Sequence, residues 1–456
     1  MFRRSIMAGA VALASLAGTV APAQAQQPAP SAAQAPTEIQ FWHGLSQPLG
    51  GLLENLVAGF NGSQTQYRVV PTFRGSYPET MVAAIAAFRA GQAPHIVQMF
   101  EVGTGTMINA GRAIIPTHEL LTQTGVNINF DDFLPGVRGY YAAADGRQMA
   151  MPFNSSTSIV YYNKDAFRRA NLNPDQFPTS WEGVGQALVA LKASGHACPM
   201  STAWPTWLMI EQFSAIHNIP LASQGNGFGG ANAELRVNNP LMLRHMTNLV
   251  NWQKEGLFRW GGRDNAGEPL FPAGECAIMM TSSGFRARVQ REARFDWGVA
   301  MLPSYEGTQP ANSIIGGASL WVMNRGPNAQ RPAAELRGIA EFFAYTARPD
   351  VAGKWHQDTG YLPITRAGFE SARAGGFYTQ PANVGAEVPI EQMLRGASSE
   401  NTRGIRLGGF VEIRVIMQEE MEKAFQGQQT PEQALQAMTT RGNAVLRNFE
   451  RANRGG

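Results

Sequence analysis

EIQFWHGLSQPLGGLLENLVAGFNGSQTQYRVVPTFRGSYPETMVAAIAAFRAGQAPHIVQMF, residues 38–100, decides the fold. Three β-branched and aromatic runs stand out: Glu38–Trp42, Gln66–Phe73 and His95–Phe100. Between them lie two segments with helical spacing, near Leu49–Phe60 and over Thr80–Ala90, the second with a continuous alanine face. Strands separated by helices of this length imply βαβ units and a largely parallel sheet. Ligands of such sheets lie beyond the C-terminal ends of the strands. The loops Trp42–Gly44, Gly75–Tyr77 and Glu101–Thr106 are therefore expected on one rim, with a helix over Val102–Ala110.

Downstream, a second α/β region opens with Met151–Ser158 and the strand Ile159–Tyr162. Helices are expected over Trp181–Ala193, with Ser180 as N-cap, and over Pro205–Ile216, with proline in the first turn. Gly274–Thr281 reads as a strand leading through Ser282-Ser283-Gly284 into a helix. Strands follow at Trp297–Leu302 and Ser319–Met323, and helices at Ala333–Thr346 and Ile413–Phe425. The last helix starts at Thr430-Pro431-Glu432-Gln433, a capping box with proline at the first helical position.

Upstream, residues 1–25 have the form of a cleaved export signal: Arg3 and Arg4, the apolar run Ser5–Val20, and the small-residue site Ala23-Gln24-Ala25. The apolar run is too short to span a membrane. Gln26–Pro36 is a low-complexity tether. Losing Arg3 and Arg4 takes the 37 basic residues to 35 against 34 acidic ones, so the exported chain is almost neutral. That balance argues against nucleic acid as a partner. Cys198 and Cys276 both fall in apolar strand-like runs, and in an oxidising compartment they form either one bridge or a pair of buried thiols. No CxxC or HxxxH spacing marks a metal site, and no cofactor is implied.

Several residues are candidates for chemistry. Gly225-Asn226-Gly227-Phe228-Gly229-Gly230 matches GxGxxG, but no strand leads into it and no helix follows at once, so a flexible surface loop is expected. Trp204 and Trp207 share one helical face, for core packing or for a binding wall. Ser155, Ser156, Ser282, Ser283 and Gly284 sit at strand ends, where hydroxyls and backbone N–H groups can cap a helix or hold an anion. Arg406 and Arg414 could fork onto a phosphate or remain solvated. The GxSxG, HExxH and Walker A patterns of enzymes are absent.

Taken together, FWHG (41–44), GSYPET (75–80), IAAFRAGQAP (85–94), EVGTGTM (101–107), PFNSSTSIVYYNKDAF (152–167), QGNGFGG (224–230), GECAIMMTSSG (274–284), IIGGASLWVM (314–323), WHQDTGYLPIT (355–365) and EIRVIMQEEME (412–422) carry a resemblance. From Thr37 to about Phe449 the chain resembles the glycerophosphate branch of the family-1 extracellular solute-binding proteins, the periplasmic components of bacterial ABC importers. The resemblance implies the two-lobed, type II, maltose-binding-protein-like α/β fold with an interlobe cleft. Lobe 1 would comprise 37–152 and 310–365, and lobe 2 would comprise 153–309 and 366–456. It implies a periplasmic monomer, not an enzyme, that captures sn-glycerol-3-phosphate or glycerophosphodiesters such as glycerophosphocholine. Hinge closure would then deliver the ligand to the membrane permease subunits. Capture of a neutral oligosaccharide and secreted phosphodiesterase activity are the alternatives.

By the same resemblance the ligand residues are Tyr77, Glu101, Ser156, Trp204, Ser282 or Ser283, Gly317, Tyr361 and Arg414, with Arg406 in reserve. Arg414, Ser156 and backbone N–H groups would meet the phosphate. Glu101 would accept from the glycerol hydroxyls, and Tyr77 and Tyr361 would each give one O–H. Trp204 would close the apolar side or meet a choline.

Overall fold

The computed structural model describes residues 35–143 and 145–453. The expected export signal, and the tether up to residue 34, lie outside the described residues. Strands β1 (Thr37–His43), β2 (Tyr67–Phe73) and β3 (Ile96–Phe100) pair in parallel with β1 in the middle. The helices Leu49–Ser63 and Tyr77–Arg89 connect them. Every residue of β3 is buried, Gln98 included, as its place inside the sheet requires.

The remainder of this sheet departs from the expected parallel pattern. β4 (Ile114–Ile115), β5 (Met151–Ser156) and β11 (Gly316–Met323) complete it, in the order β2-β1-β3-β11-β4 with β5 also on β11. β11 runs antiparallel to β3, β4 and β5. A strand arriving more than two hundred residues after β3 is not directed by a βαβ crossover, so its sense is free.

The second sheet is mixed as well. Its order is β10 (Trp297–Ala300), β6 (Ser158–Asn163), β9 (Cys276–Ser282), β7 (Cys198–Thr202), β8 (Phe258–Arg259). Only the β7 pairings are parallel. In the β7–β9 register Cys198 faces Cys276, and the two form a disulfide, which decides between the bridge and the buried thiols.

The chain passes between the sheets at Thr157, since β5 keeps pairing through Ser156, beyond the expected junction between 152 and 153. Thr157 Oγ1 bonds to Ser313 Oγ at 2.7 Å and donates to the Ile314 carbonyl at 2.9 Å, tying this crossing to the return crossing before β11. The segment after Tyr361 runs beside them, its Leu362 N–H donating to the Ser155 carbonyl at 2.7 Å. These bonds lie within one buried apolar core that includes residues of both sheets, among them Phe41, Met151, Val160 and Met280.

Local rules account for most helices. Ser180 accepts from the Gly183 N–H at 3.1 Å and starts Trp181–Ala193. Thr430 and Gln433 exchange both capping-box bonds at the head of Pro431–Asn453. The helix Ala333–Thr346 lays Phe342 against Phe41 and Phe60, with ring centroids 6.0 and 5.3 Å apart. Burying each such ring contributes about 1.5–3 kcal/mol.

Three stretches differ from expectation. The segment after β3 is a 3₁₀ turn, Glu101–Gly103, followed by the short helix Thr104–Ile108. The helix after Pro205 is wound as a π-helix over Trp207–Gln212. The glycine-rich 225–230 is anchored rather than loose: buried Asn226 accepts from the Leu221 and Ala222 N–H groups at 2.9 and 3.0 Å. No strand feeds it and no long helix leaves it, so it is no dinucleotide site.

Candidate functional site

The two sheets turn one set of strand ends towards a common cavity of ≈ 300 Å³, within the range of small-molecule sites. From the first sheet, the loops after β1, β2 and β3 supply Gly44, Ser76, Tyr77 and Glu101 to its wall. A buried polar chain fixes this rim. Gln98 on β3 accepts from the Gly44 N–H at 2.9 Å and donates to Asn154 Oδ1 at 2.8 Å, and Asn154 Nδ2 reaches the Tyr77 hydroxyl at 3.0 Å. The Tyr77 ring stacks on Phe100, centroids 5.4 Å apart. Burial, reinforced by Tyr361 and Glu101, pushes the Tyr77 hydroxyl pKa well up, so it stays a neutral donor.

Gly317 and Ser156 enter from the antiparallel pair β11 and β5. Gly317 has φ +85°, and a Cβ there would stand 2.0 Å from the Asn154 carbonyl oxygen, so only glycine lets the strands approach. Tyr361 lies against Gly284, where a Cβ would meet its ring at 2.7 Å. Its own ring is backed by Trp355 at 6.0 Å.

From the second sheet, β9 ends in Ser282, whose hydroxyl accepts from the Gly284 N–H at 3.2 Å. Ser282 and Gly284 line the cavity. Ser283 does not: its N–H donates to the Thr157 carbonyl at 2.8 Å and its carbonyl accepts from Tyr161 at 3.0 Å. Trp204 follows β7 with φ +53°, a left-handed conformation that a bulky residue rarely holds. That turn brings its ring to 6.3 Å from the Tyr77 ring, both on the cavity wall, while Trp207, one turn on, also lines the wall.

Arg414 comes from the helix Phe410–Phe425 and is 8% exposed. Its Nε and Nη2 donate to the two Glu211 oxygens at 2.6 and 2.7 Å, and Nη2 also donates to Glu101 Oε1. Burial alone would lower the guanidinium pKa, but Glu211 and Glu101 outweigh it and hold the group charged. Burial, with Glu211 adding to it, raises the Glu101 pKa against the pull of Arg414. Arg406 lies elsewhere, donating to the Gly139 and Tyr140 carbonyls and stacking on Phe228 at 4.1 Å.

A cavity between two α/β sheets, lined by strand ends and holding a buried guanidinium, is a solute-binding arrangement. The sequence model of the bacterial extracellular solute-binding proteins matches residues 55–378. The chain belongs to that family. Among its relatives is the sn-glycerol-3-phosphate-binding periplasmic protein UgpB of Yersinia enterocolitica, 43% identical over 427 residues, 92% of this chain and 95% of the relative. UgpB of Rhizobium meliloti is 42% identical over 415 residues, covering 91% and 95%. The fold matches that of UgpB from Mycobacterium tuberculosis in complex with glycerophosphocholine, at TM-score 0.72 and 21% identity over 91% of this chain and 99% of the other. It also matches the sugar-binding protein MalE of Xanthomonas citri, at TM-score 0.67 and 17% identity over 92% and 100%.

In this solute-binding protein the cavity also contains residues that sequence reasoning passed over: Asn265, Glu268 and Arg288 on its wall, and Glu211 behind Arg414. Glu211 had a signal, a lone acid inside the apolar run WLMIEQF, since an unpaired buried carboxylate is rare. Glu268 had none, because its surroundings in sequence are those of a surface loop. Burial, opposed by Arg288, pushes its carboxyl up to about 7.

Proposed function

We propose that the chain is the periplasmic solute-binding component of an ABC importer, capturing sn-glycerol-3-phosphate and glycerophosphodiesters. The observation that carries this reading is Arg414, a buried, permanently charged fork at the floor of a cavity between two lobes. Relatives about 42% identical along nearly their whole length bear the name of glycerol-3-phosphate binding, which supports the ligand class. The chain acts as a monomer and turns nothing over. The first sheet heads lobe 1 and the second lobe 2, with the first crossing at Thr157 and the later ones near 310 and 365. Segments 366–456 join lobe 2.

The division of labour follows from chemistry. Arg414 and the Ser156 and Ser282 hydroxyls hold phosphate oxygens. Tyr77 and Tyr361 donate one O–H each to the ligand, and Glu101 accepts from glycerol hydroxyls while it steadies Arg414. Trp204 closes the apolar side. Closure of the lobes on the ligand makes the shape that the permease reads.

A thermal-shift and calorimetry panel of sn-glycerol-3-phosphate, glycerophosphocholine, maltose and inorganic phosphate tests this. A ligand at about 100 times its Kd stabilises by about 2.7 kcal/mol. Stabilisation by either glycerol phosphate is expected. Stabilisation by maltose alone would replace the reading with oligosaccharide capture, and hydrolysis of glycerophosphocholine by the pure protein would replace it with a phosphodiesterase.

A further inference from the structure

The charged groups of the cleft are unevenly matched. Arg414 is shared by two carboxylates, Glu101 and Glu211. Arg288, the other guanidinium on the wall, already pairs with Glu292 of its own helix, Nε to Oε2 at 2.8 Å. Glu268 is left with neutral donors: the Thr281 hydroxyl at 3.4 Å and the Trp204 side chain, which also hydrogen-bonds to it. A buried carboxylate whose hydrogen bonds come only from neutral groups bears a desolvation cost unless it takes a proton or a cation.

The surroundings of Glu268 suit a particular cation. The Trp204 ring stands beside it in its unusual left-handed conformation, with Asn265 and Ser282 on the same wall. Glu268 takes a hydrogen bond from the Trp204 side chain and so lies at the edge of its ring; the ring's face recognises alkylammonium groups, and the carboxylate at its edge adds the opposite charge. A phosphomonoester dianion entering this cleft meets more carboxylates than free guanidinium groups. A phosphodiester carries one negative charge, and its second alcohol can bring a positive one.

Resting on the reading given above, we infer that Glu268, with Trp204, receives an alkylammonium head group on the ligand, so that zwitterionic glycerophosphodiesters are favoured over those with a neutral head. The groups that face Glu268 are Arg288 from the helix Arg286–Glu292, Tyr161 of β6, Tyr361 just after the helix Pro349–Thr359, Thr281 of β9, and Trp204. Arg288 is the one cation among them, and it acts at longer range than an ion pair. As pH rises from about 6 to about 8 the carboxyl of the free protein passes from mostly protonated to mostly ionised. Affinity for an ammonium ligand rises with it. A phosphodiester keeps its own charge across this range, so the neutral-headed ligand is an internal control.

The experiment is calorimetry of the wild-type chain and Glu268→Gln with glycerophosphocholine, glycerophosphoethanolamine and glycerophosphoglycerol, at about pH 6 and about pH 8. In wild type, the two ammonium ligands should gain about tenfold in affinity over that interval relative to glycerophosphoglycerol. In Glu268→Gln the relative gain should vanish, and ammonium ligands should lose about tenfold relative to glycerophosphoglycerol at the higher pH. The choline and ethanolamine arms separate recognition of charge alone from recognition through N–H groups; a loss for either supports the inference. Equal loss for all three ligands, or no loss for either ammonium ligand, overturns it. Should the variant fail to fold, a flat wild-type pH profile for both ammonium ligands overturns it on its own. If no glycerophosphodiester and no sn-glycerol-3-phosphate binds the wild-type chain, it is the ligand class proposed above that fails.

Discussion

Glu211 grips Arg414 with both carboxylate oxygens, at 2.6 and 2.7 Å, leaving the guanidinium one remaining edge, which Glu101 and the cavity share. The π-winding of Trp207–Gln212 belongs to the same arrangement: Trp207 lines the cavity while Glu211 lies buried on the helix behind it. Arg414→Ala would strand two buried carboxylates. Unfolding in urea should register a loss of about 3–5 kcal/mol, and calorimetry should find no binding of glycerol phosphates. Arg414→Lys keeps the charge but not the fork, so it should retain weak binding. Unchanged affinity in Arg414→Ala would remove Arg414 from the ligand.

Gly317 permits the β5–β11 approach that aims Ser156 at the cavity. Gly317→Ala combines a positive φ with a Cβ 2.0 Å from backbone, which a rotamer change cannot relieve. The strands must part, and the expected cost is about 2–4 kcal/mol with a loss of affinity at least as large as that of Ser156→Ala. Denaturant unfolding and calorimetry on both variants check this. A Gly317→Ala variant as stable and as tight as wild type would mean that the pair relaxes freely.

The parts of this molecule that sequence makes legible are those governed by neighbours in the chain. The alternation from Thr37 to Phe100 places Tyr77 and Glu101 on one rim, because both follow strands of a single βαβαβ run. Ser180 and Thr430 announce helices by local hydrogen bonds. What stayed hidden depends on distant partners. β11 takes its antiparallel place beside β3 through pairing more than two hundred residues apart, and nothing in SLWVM carries that direction. Glu268 becomes a cleft residue only because Trp204, Thr281 and Arg288 fold around it. Ser282 and Ser283, alike in sequence, are separated by a single turn that sends one hydroxyl to the cavity and keeps the other behind it.

The Cys198–Cys276 bridge joins the starts of β7 and β9, the ends of those strands away from Trp204 and Ser282. It closes a separation of 78 residues, and a loop of that size confers about 4 kcal/mol by restricting the unfolded chain. The double variant Cys198→Ser, Cys276→Ser should therefore unfold at markedly lower denaturant while its ligand affinity stays within about twofold. A parallel fall in affinity would mean that the bridge also sets the cleft geometry.

Acid stability should be governed in part by histidines buried without charge. Burial lowers His43 and His356 to about 4, and burial with help from Arg331 does the same to His95 despite its Glu335 neighbour. His245, fully buried and stacked on Phe213 at 4.0 Å, is driven well below its usual value by burial and by His217. Each of these groups takes up its proton more readily in the unfolded chain, from the ordinary value of 6.5 downward. Between that pH and the folded value the unfolded state binds more protons, so stability falls as pH falls. Each His depressed to about 4 accounts for about 2–3 kcal/mol once the window is crossed. His245→Phe removes one such group while keeping an aromatic ring against Phe213. It should raise stability by about 1–2 kcal/mol at about pH 5 and change little at about pH 8. Denaturant melts of both proteins at the two pH values decide it: an equal shift at both would assign the effect of His245 to packing instead of protonation.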